Sequence, residues 1–266
     1  MALSASSHPM KSGLEASVRR VILGDRSYVL KIWDKHSKPD VLYQYRLLLA
    51  LFEQGVPVSR PLGAGITEEG NGALLTSDDG APLTKLDKPG IAKIAKLMAD
   101  VHRFPYDAGG ELKVDKHDFV PYFYPGLEVY PDLREALLEW IEEAGIRHDT
   151  VIHGDMHLRN LVKSDGRYTA IDWTNGQLGD PRYDLMWMVV ITRLYVSDRI
   201  ADGLLRAYLA LIEYPDDELR TFEAIAFARW LLLHRRGDLP ADKKKVSALI
   251  RHNPLLTSKN LFPVRA

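Results

Sequence analysis

The sequence predicts an α+β protein with two lobes, a small β-rich N-terminal lobe and a larger, mainly helical C-terminal lobe. β-branched and apolar runs dominate the first third of the 266 residues, whereas apolar residues at helical spacing dominate the remainder. Between these parts, the sequence SDDGAP at residues 77–82 combines turn formers with charge, which is typical of a linker. We therefore expect an N-terminal lobe of residues 1–78 and a C-terminal lobe of residues 79–266.

Strands and one helix are predicted in the N-terminal lobe. Residues 18–23 and 26–33 flank a Gly-Asp pair, a pattern that indicates an antiparallel hairpin with a tight turn. A helix is expected to begin at about Asp40 and to end before Gly55, because apolar residues recur between them at helical spacing. A further strand is predicted over residues 73–76.

The C-terminal lobe is predicted to be helical apart from one irregular stretch and one hairpin. Residues 104–131 are rich in aromatic residues and proline, and we expect irregular structure there. A second hairpin is predicted over residues 160–173, with Asp165 and Gly166 at its turn. The expected helices cover residues 91–102, 133–144, 184–194, 200–212 and 216–233. Three tryptophans in these helices are expected in the core: Trp140, Trp187 and Trp230.

Composition and charge exclude several classes of protein. The formal net charge of −1 gives no general attraction to nucleic acid or to acidic membranes. The sequence has no cysteine, which excludes disulfides and thiolate metal sites and fits a reducing compartment. Residues 1–13 lack the pattern of a secretory signal, and the apolar residues 185–192 are too few to span a bilayer. We expect a cytoplasmic protein without nucleic-acid or membrane partners.

The strongest chemical signal is VIHGDMHLRNLV at residues 151–162, followed by AIDW at residues 170–173. If the second hairpin turns where predicted, Asn160 and Asp172 leave its open end side by side. Asp155 lies five residues before Asn160. The converging carboxylates and carboxamide suit Mg²⁺ beside substrate phosphates. Phosphoryl transfer needs such a set, with Asp155 as the base for the attacking hydroxyl and Asn160 and Asp172 as metal ligands.

Lys31, on the second strand of the first hairpin, is the candidate cation for the nucleotide phosphates. The predicted hairpin places it opposite Val18, beside the end of the preceding loop. That loop, KSGLEAS at residues 11–17, contains Ser12 and Gly13, which are small enough to let backbone amides approach phosphates. With a single glycine, it is a weak match to a glycine-rich phosphate loop.

In these residues the chain resembles the aminoglycoside phosphotransferase and choline kinase family, which has the protein-kinase fold. The matching elements occur in the family's order: Lys31 on its strand, residues 153–160, residues 171–173 and residues 179–185. The resemblance implies a protein-kinase-like two-lobed fold that binds ATP and Mg²⁺ between its lobes. It also implies transfer of the γ-phosphate to a hydroxyl of a small molecule, such as a sugar, an amino alcohol, an antibiotic or a metabolite.

The resemblance gives the same roles to the base, the metal ligands and the lysine, and it adds supporting residues. The adenine is expected to meet the backbone near Ser77 and Asp78. Asp184, on the first helix after the site, is expected to brace the catalytic loop, which is residues 153–160. His153 is expected to be structural in the same way.

One position departs from the family pattern. Members usually pair the strand lysine with a glutamate on the following helix, where this chain has Gln44 or, with a shift of one residue, Tyr45. A glutamine can hydrogen-bond an ammonium group but supplies no charge. Lys31 is then held less firmly and activity is modest. If activity is lost altogether, the chain is a non-catalytic nucleotide-binding regulatory module, which is an alternative function.

A metal-dependent hydrolase and a protein kinase are also compatible with parts of this motif. His153, Asp155 and His157 alternate, so on a strand they would share one face, as the metal site of a hydrolase requires. Glycine at position 154 favours a loop instead, in which His157 tunes the loop by hydrogen bonding. For a protein kinase, the few residues between Trp173 and Gly179 leave little room for an activation segment.

The C-terminal region is basic, which bears on the acceptor. From residue 229 onward the only acidic residues are Asp238 and Asp242. An uncompensated basic pocket would repel a polycationic aminoglycoside, so we expect a neutral or anionic acceptor. The basic residues are Arg229, Arg235, Arg236, Lys243, Lys244, Lys245, Arg251, Lys259 and Arg265.

Overall fold

The computed structural model describes residues 5–10, 16–37 and 39–262, and it separates into two units. Each unit combines segments that are distant in sequence. The first contains the described residues up to Leu83, Phe104–Val114 and Arg159–Gly176, and the second contains Thr84–Arg103, Asp115–Leu158 and the described residues from Gln177 onward. This division differs from a single cut after Asp78, because two later segments join the first unit. The functional boundary between lobes stays a prediction.

An antiparallel sheet of five strands forms the larger sheet among the described residues of the first unit. Its strands are β1 (Ala5–Pro9), β2 (Ala16–Leu23), β3 (Arg26–Trp33), β4 (Pro61–Ile66) and β5 (Gly72–Ser77). They lie in the spatial order β1-β2-β3-β5-β4. Lys31 pairs with Val18 on one side and with Leu74 on the other, so the predicted first hairpin and its register are confirmed.

Helix α1 (Val41–Glu53) follows this hairpin, as predicted. Its N-cap is Asp40, whose carboxylate accepts from the backbone N–H groups of Leu42 at 2.8 Å and Tyr43 at 3.0 Å. These bonds satisfy donors that the first turn of a helix leaves unpaired. The Tyr43 hydroxyl also donates to Gly176 O at 2.7 Å, which anchors the helix to a distant segment of the same unit.

The second hairpin is confirmed as well and belongs to the first unit. It consists of β8 (Leu161–Ser164) and β9 (Arg167–Ala170), and a short strand β6 (Ala81–Pro82) pairs with β8. Residues 77–82 are not irregular throughout, because Ser77 ends β5 and Ala81–Pro82 form β6; their role as a linker between the lobes stays a prediction. Between these strands, Gly80 has φ of +119° and packs directly against the backbone of β8.

The described residues of the second unit are mainly helical. Its helices are α2 (Lys88–His102), α3 (Phe119–Phe123), α4 (Pro131–Ala144), α5 (Pro181–Tyr195), α6 (Asp198–Leu209), α7 (Asp216–Arg235), α8 (Lys243–His252) and α9 (Pro254–Lys259). Two short strands, β7 (Thr150–Ile152) and β10 (Gln177–Gly179), pair with each other. Trp140, Trp187 and Trp230 are buried, as predicted. No helix in the described part of the chain is long and apolar enough to cross a membrane.

Candidate active site

The open end of the second hairpin carries two of the predicted site residues. The backbone N–H of Ile171 donates to Asn160 O at 2.9 Å, which extends the β8–β9 ladder by one pair. Asn160 and Asp172 therefore leave the end of the hairpin side by side. Asp172 has φ of +67°, a left-handed conformation that is uncommon outside glycine. Such conformations persist where the surrounding structure fixes them and are concentrated at functional sites.

Lys31 of β3 contacts this hairpin end. Its Nζ donates to Asp172 Oδ1 at 3.0 Å, although the two residues are 141 positions apart in sequence. The Thr174 hydroxyl donates to the same oxygen at 3.1 Å. The Asp172 side chain is 45% exposed, so a cation in solvent can reach the carboxylate. The oxygen donors of Asn160 and Asp172 fit Mg²⁺, which takes few protein ligands and keeps several waters.

Residues 153–157, which begin the predicted catalytic loop of residues 153–160, belong to the second unit and are held by Asp184 of α5. The Asp184 side chain is fully buried; its Oδ2 accepts from His153 N at 2.9 Å and its Oδ1 accepts from Gly154 N at 3.0 Å. Gly154 has φ of +76°, which allows the sharp turn after β7. Burial raises the pKa of the Asp184 carboxyl, but the hydrogen bonds that it accepts, foremost that from His102, together outweigh burial, so the pKa lies below its usual value.

His102, the last residue of α2, continues this network and is a site residue that the sequence did not predict. Its Nε2 lies 3.2 Å from Asp184 Oδ2, and its Nδ1 lies 2.6 Å from the Tyr208 hydroxyl. Because an ionised carboxylate only accepts, Nε2 carries the hydrogen and Nδ1 accepts from Tyr208. The usable signal was its spacing: His102 follows the buried Met98 by four residues and so lies on the apolar face of α2.

Asp155 lies in the catalytic loop and is surrounded by donors. Its Oδ1 accepts from Trp187 Nε1 at 2.9 Å and from Arg229 Nη2 at 3.2 Å, and its Oδ2 lies 3.6 Å from His157 Nε2. Its backbone N–H donates to His153 Nδ1 at 3.3 Å. Burial raises the pKa of the Asp155 carboxyl, but the charge of Arg229 and the hydrogen bond from His157 together outweigh burial. The pKa therefore lies below its usual value. The carboxylate is therefore ionised at neutral pH.

Two of these contacts involve residues for which the sequence suggested different roles. Trp187 is predicted only as a core residue, yet its indole N–H binds Asp155. Its position three residues after Asp184 on the same helix was a usable signal, since such pairs share a face. Arg229 counts in the sequence only as one of the basic C-terminal residues. Nothing in its local sequence links it to a residue 74 positions earlier.

The hydrolase alternative required His153, Asp155 and His157 to share one face of a strand. Strand β7 ends at Ile152, and these residues form a loop. The described residues contain no group of three or more His, Cys, Asp or Glu side chains that could hold a metal ion. The expectation that these residues form a strand, on which the hydrolase alternative depends, is therefore wrong.

The residues expected near the adenine are hydrogen-bonded within the first unit. Asp78 Oδ2 accepts from the Ser27 hydroxyl at 2.6 Å and lies 2.7 Å from Arg20 Nε. The Ser77 backbone N–H donates to Arg60 O at 2.9 Å. These contacts fix the chain that follows β5, and the expected contact of this segment with adenine stays a prediction.

Gln44 lies on α1 but is not a partner of Lys31 in the contacts described above. It is 2% exposed, and its Nε2 has no hydrogen-bond partner among the described residues. Lys31 contacts Asp172 instead. The alternative position, Tyr45, is only half-buried. Ser12 and Gly13, expected in the nucleotide loop, lie outside the described residues.

Three of the basic residues of the C-terminal region pair with acidic residues elsewhere in the second unit. Arg235 forms a bidentate pair with Asp132 at 2.6 and 2.8 Å, and Lys259 contacts Glu139. Arg229 faces Asp155. The local count of charges that favoured a neutral or anionic acceptor therefore overstates the positive charge of this region, because acids from earlier in the sequence compensate these three cations.

Comparisons with known proteins agree with this geometry. Among curated proteins, no sequence match was found. A proposed aminoglycoside phosphotransferase from Ralstonia eutropha is similar in structure, with a TM-score of 0.67 and 17% identity over 97% of this chain and 92% of that chain. Choline kinase LicA from Streptococcus pneumoniae gives a TM-score of 0.62 and 16% identity over 97% and 95% of the two chains. The predicted protein-kinase-like fold is thus confirmed.

A third similar structure was solved with ligands. Amicoumacin kinase hAmiN, in complex with AMP-PNP, Ca²⁺ and Ami, gives a TM-score of 0.63 and 17% identity over 99% of this chain and 93% of that chain. At the level of sequence, residues 7–220 match the model of the family described as the phosphotransferase enzyme family, APH. The prediction of a phosphotransferase is confirmed, and the chain belongs to the phosphotransferase enzyme family.

Proposed function

We propose that this protein transfers the γ-phosphate of ATP to a hydroxyl group of a small molecule in a Mg²⁺-dependent reaction. The observation that carries the proposal is the 3.0 Å contact between Lys31 and Asp172, which joins the candidate phosphate-binding cation to a candidate metal ligand. The solved relative with AMP-PNP and Ca²⁺ supports a nucleotide and a divalent cation as ligands of this fold. ATP use and the lack of cysteine support a cytoplasmic location.

The residues have separate roles in the proposed reaction. Asp155 orients the acceptor hydroxyl and accepts its proton while the acceptor oxygen forms a bond to the γ-phosphorus and the bond to ADP breaks. Lys31 binds the nucleotide phosphates. Asn160 and Asp172 would hold Mg²⁺, which neutralises charge on the phosphates when bound. The five-residue link between Asp155 and Asn160 limits their Cα atoms to about 18 Å apart, whatever the arrangement of the two units.

The acceptor is proposed to be a small molecule, in the range of a sugar, an amino alcohol, an antibiotic or a metabolite. Similar structures include an aminoglycoside phosphotransferase bound to hygromycin B, a choline kinase and an amicoumacin kinase. Their acceptors differ widely, so the fold itself does not select one. The near-neutral net charge of this chain supports neither nucleic acid nor membranes as partners.

The test is an ATP-consumption assay against a library of small hydroxyl compounds, with and without Mg²⁺, followed by the variant Asp155→Asn. General base catalysis contributes on the order of 10² to 10⁴ in rate, so kcat on the best acceptor should fall by that factor while ATP still binds. Asp149→Asn is the matched control, since Asp149 is an exposed aspartate shortly before the loop. Near-normal kcat in Asp155→Asn would overturn the assigned base.

A further inference from the structure

Arg229 of α7 contacts the catalytic loop at more than one point. Its Nη1 donates to Gly154 O at 2.8 Å and to the Tyr183 hydroxyl at 3.1 Å. Its Nη2 donates to Asp155 Oδ1 at 3.2 Å. One guanidinium group therefore holds the backbone of the loop and the side chain of the candidate base at the same time.

Two aromatic rings fix the position of this guanidinium group. Its central carbon lies 4.2 Å from the centre of the Trp187 ring and 5.1 Å from that of Phe123. The Arg229 side chain is only 11% exposed, and a charge at such a site is stable only when it is paired. Asp155 supplies the negative charge. Because the guanidinium fork is planar and stacked, it holds its partner in a fixed direction.

Trp187 adds a second donor to the same carboxylate oxygen. Its Nε1–H and the Arg229 Nη2–H both bind Asp155 Oδ1, whereas Oδ2 faces His157 at 3.6 Å. The two oxygens of a carboxylate are equivalent until hydrogen bonds distinguish them. Here two donors, one of them charged, bind Oδ1 and fix the direction of the carboxylate.

We propose that Arg229 and Trp187 are positioning residues for phosphoryl transfer, which bind Oδ1 of Asp155 and thereby fix the orientation of its carboxylate toward the acceptor hydroxyl. The inference rests on the proposed function, in which Asp155 is the base. It goes beyond that function by assigning roles to two side chains that act through Asp155 without touching the reacting atoms.

Arg229 is not suited to binding an anionic group of the acceptor. Three of its N–H donors already bind Gly154 O, the Tyr183 hydroxyl and Asp155, and two aromatic rings lie against its guanidinium group. Releasing it for a ligand would leave the carboxylate of Asp155 without its counter-charge. The geometry therefore assigns Arg229 to Asp155 and not to substrate charge.

The arrangement predicts how the acid limb of activity depends on Arg229. The groups that face the Asp155 carboxylate are Arg229 from α7, Tyr183 from α5, and His153 and His157 from its own loop. Burial raises the pKa of the Tyr183 phenol well above its usual value, so Tyr183 is uncharged. Without Arg229, burial dominates at Asp155 and its pKa rises. An adjacent arginine lowers a carboxyl pKa by about 1 to 3 units, so its removal should shift the acid limb upward by that amount.

The experiment measures kcat, the KM for ATP and pH profiles for Arg229→Gln, Arg229→Lys and Trp187→Phe in the full chain. Arg229→Gln removes the charge, and we expect its activity to fall with pH in a range where the wild type is constant. Trp187→Phe keeps the ring and removes the N–H, so kcat should drop on the order of 10- to 100-fold. Arg229→Lys keeps the charge, so it should reverse part of the upward shift of the acid limb. It should not restore kcat to the wild-type value. In each variant the KM for ATP should change by less than about threefold.

Arg235→Gln is the matched control, because Arg235 is on the same helix and loses an ion pair with Asp132 far from the loop. It should leave the pH profile unchanged. If Asp155→Asn is inactive but Arg229→Gln and Trp187→Phe keep the wild-type kcat and pH profile, the inference is wrong and the proposed function stands. If Asp155→Asn is active, both fail. If Arg229→Gln does not fold, Trp187→Phe decides alone, since it preserves the packing.

Discussion

Asp184→Asn tests whether the catalytic loop depends on one buried carboxylate. The substitution keeps the size of the side chain and removes its charge and one acceptor. The two backbone donors bind different oxygens, since His153 N donates to Oδ2 and Gly154 N donates to Oδ1. An asparagine has one oxygen, so its NH₂ group must face one of these N–H groups. The variant therefore loses a hydrogen bond and also opposes two donors.

The expected cost follows from the burial of the site. Asp184 is 0% exposed, so no water replaces the lost partner. Hydrogen bonds to charged groups contribute about 1.5 to 3 kcal/mol each, and removing one member of a buried charged set costs about 3 to 5 kcal/mol. We expect the free energy of unfolding to fall by about 3 to 5 kcal/mol, and Tm to fall on the order of 10 °C.

Thermal and urea unfolding followed by circular dichroism measure this loss, with Asp132→Asn as control. Asp132 pairs with Arg235 at the surface and is 54% exposed, so its loss should cost at most about 1 kcal/mol. The folded pKa of Asp184 is lowered, so its contribution is complete above the unfolded pKa of about 3.9 and is lost as pH falls through the folded value. Asp184→Asn has no carboxyl group at this position, so its free energy of unfolding should fall less than that of the wild type as the pH is lowered into this range. Stability of Asp184→Asn within about 1 kcal/mol of the wild type would refute the reasoning.

Two further predictions concern the first unit. Gly80→Ala should lower the free energy of unfolding by at least about 2 kcal/mol, because the residue has φ of +119° and a Cβ would lie 2.3 Å from Lys163 O. Gly63→Ala, where a Cβ meets nothing within 4 Å, is the control in the same urea titration. Gln44→Met should leave Tm within about 2 °C of the wild type or raise it, because it removes a buried amide nitrogen that has no partner among the described residues. A tenfold rise in the KM for ATP would instead show that Gln44 supports Lys31.

Elements with a local signal could be predicted from the sequence. Both hairpins carry a turn pair between β-prone runs, and alternation fixes the register once the turn is known. Lys31 opposite Val18 and the side-by-side exit of Asn160 and Asp172 followed from this rule. Helix α1 likewise has its cap at Asp40 and a regular apolar face. In these segments the interactions that decide structure join residues that are close in sequence.

Elements without a local signal could not be predicted in this way. Strand β4 contains two glycines and, among the residues that the structure describes, pairs with β5 alone. Strand β6 is two residues long and exists because β8 offers a partner. Helix α8 begins with three lysines that resemble a solvated charge run; Asp242 caps them, and only its later residues are buried. Such segments take their structure from tertiary partners, which outweigh propensity.

The ion pairs of the basic C-terminal residues show most clearly that contacts between distant residues cannot be predicted from local sequence. Counting basic residues within the C-terminal region suggested a cationic surface, but Arg235 and Arg229 pair with acids 103 and 74 positions earlier. A charge count over a sequence window assumes that partners are local, which holds for pairs within one helix and fails for arginines whose partners lie on other elements. For this protein the consequence is specific to Asp155. Its carboxylate is already matched by Arg229, so any attraction for a cationic acceptor must come from other groups, and the acceptor has to be identified by assay instead of from bulk charge.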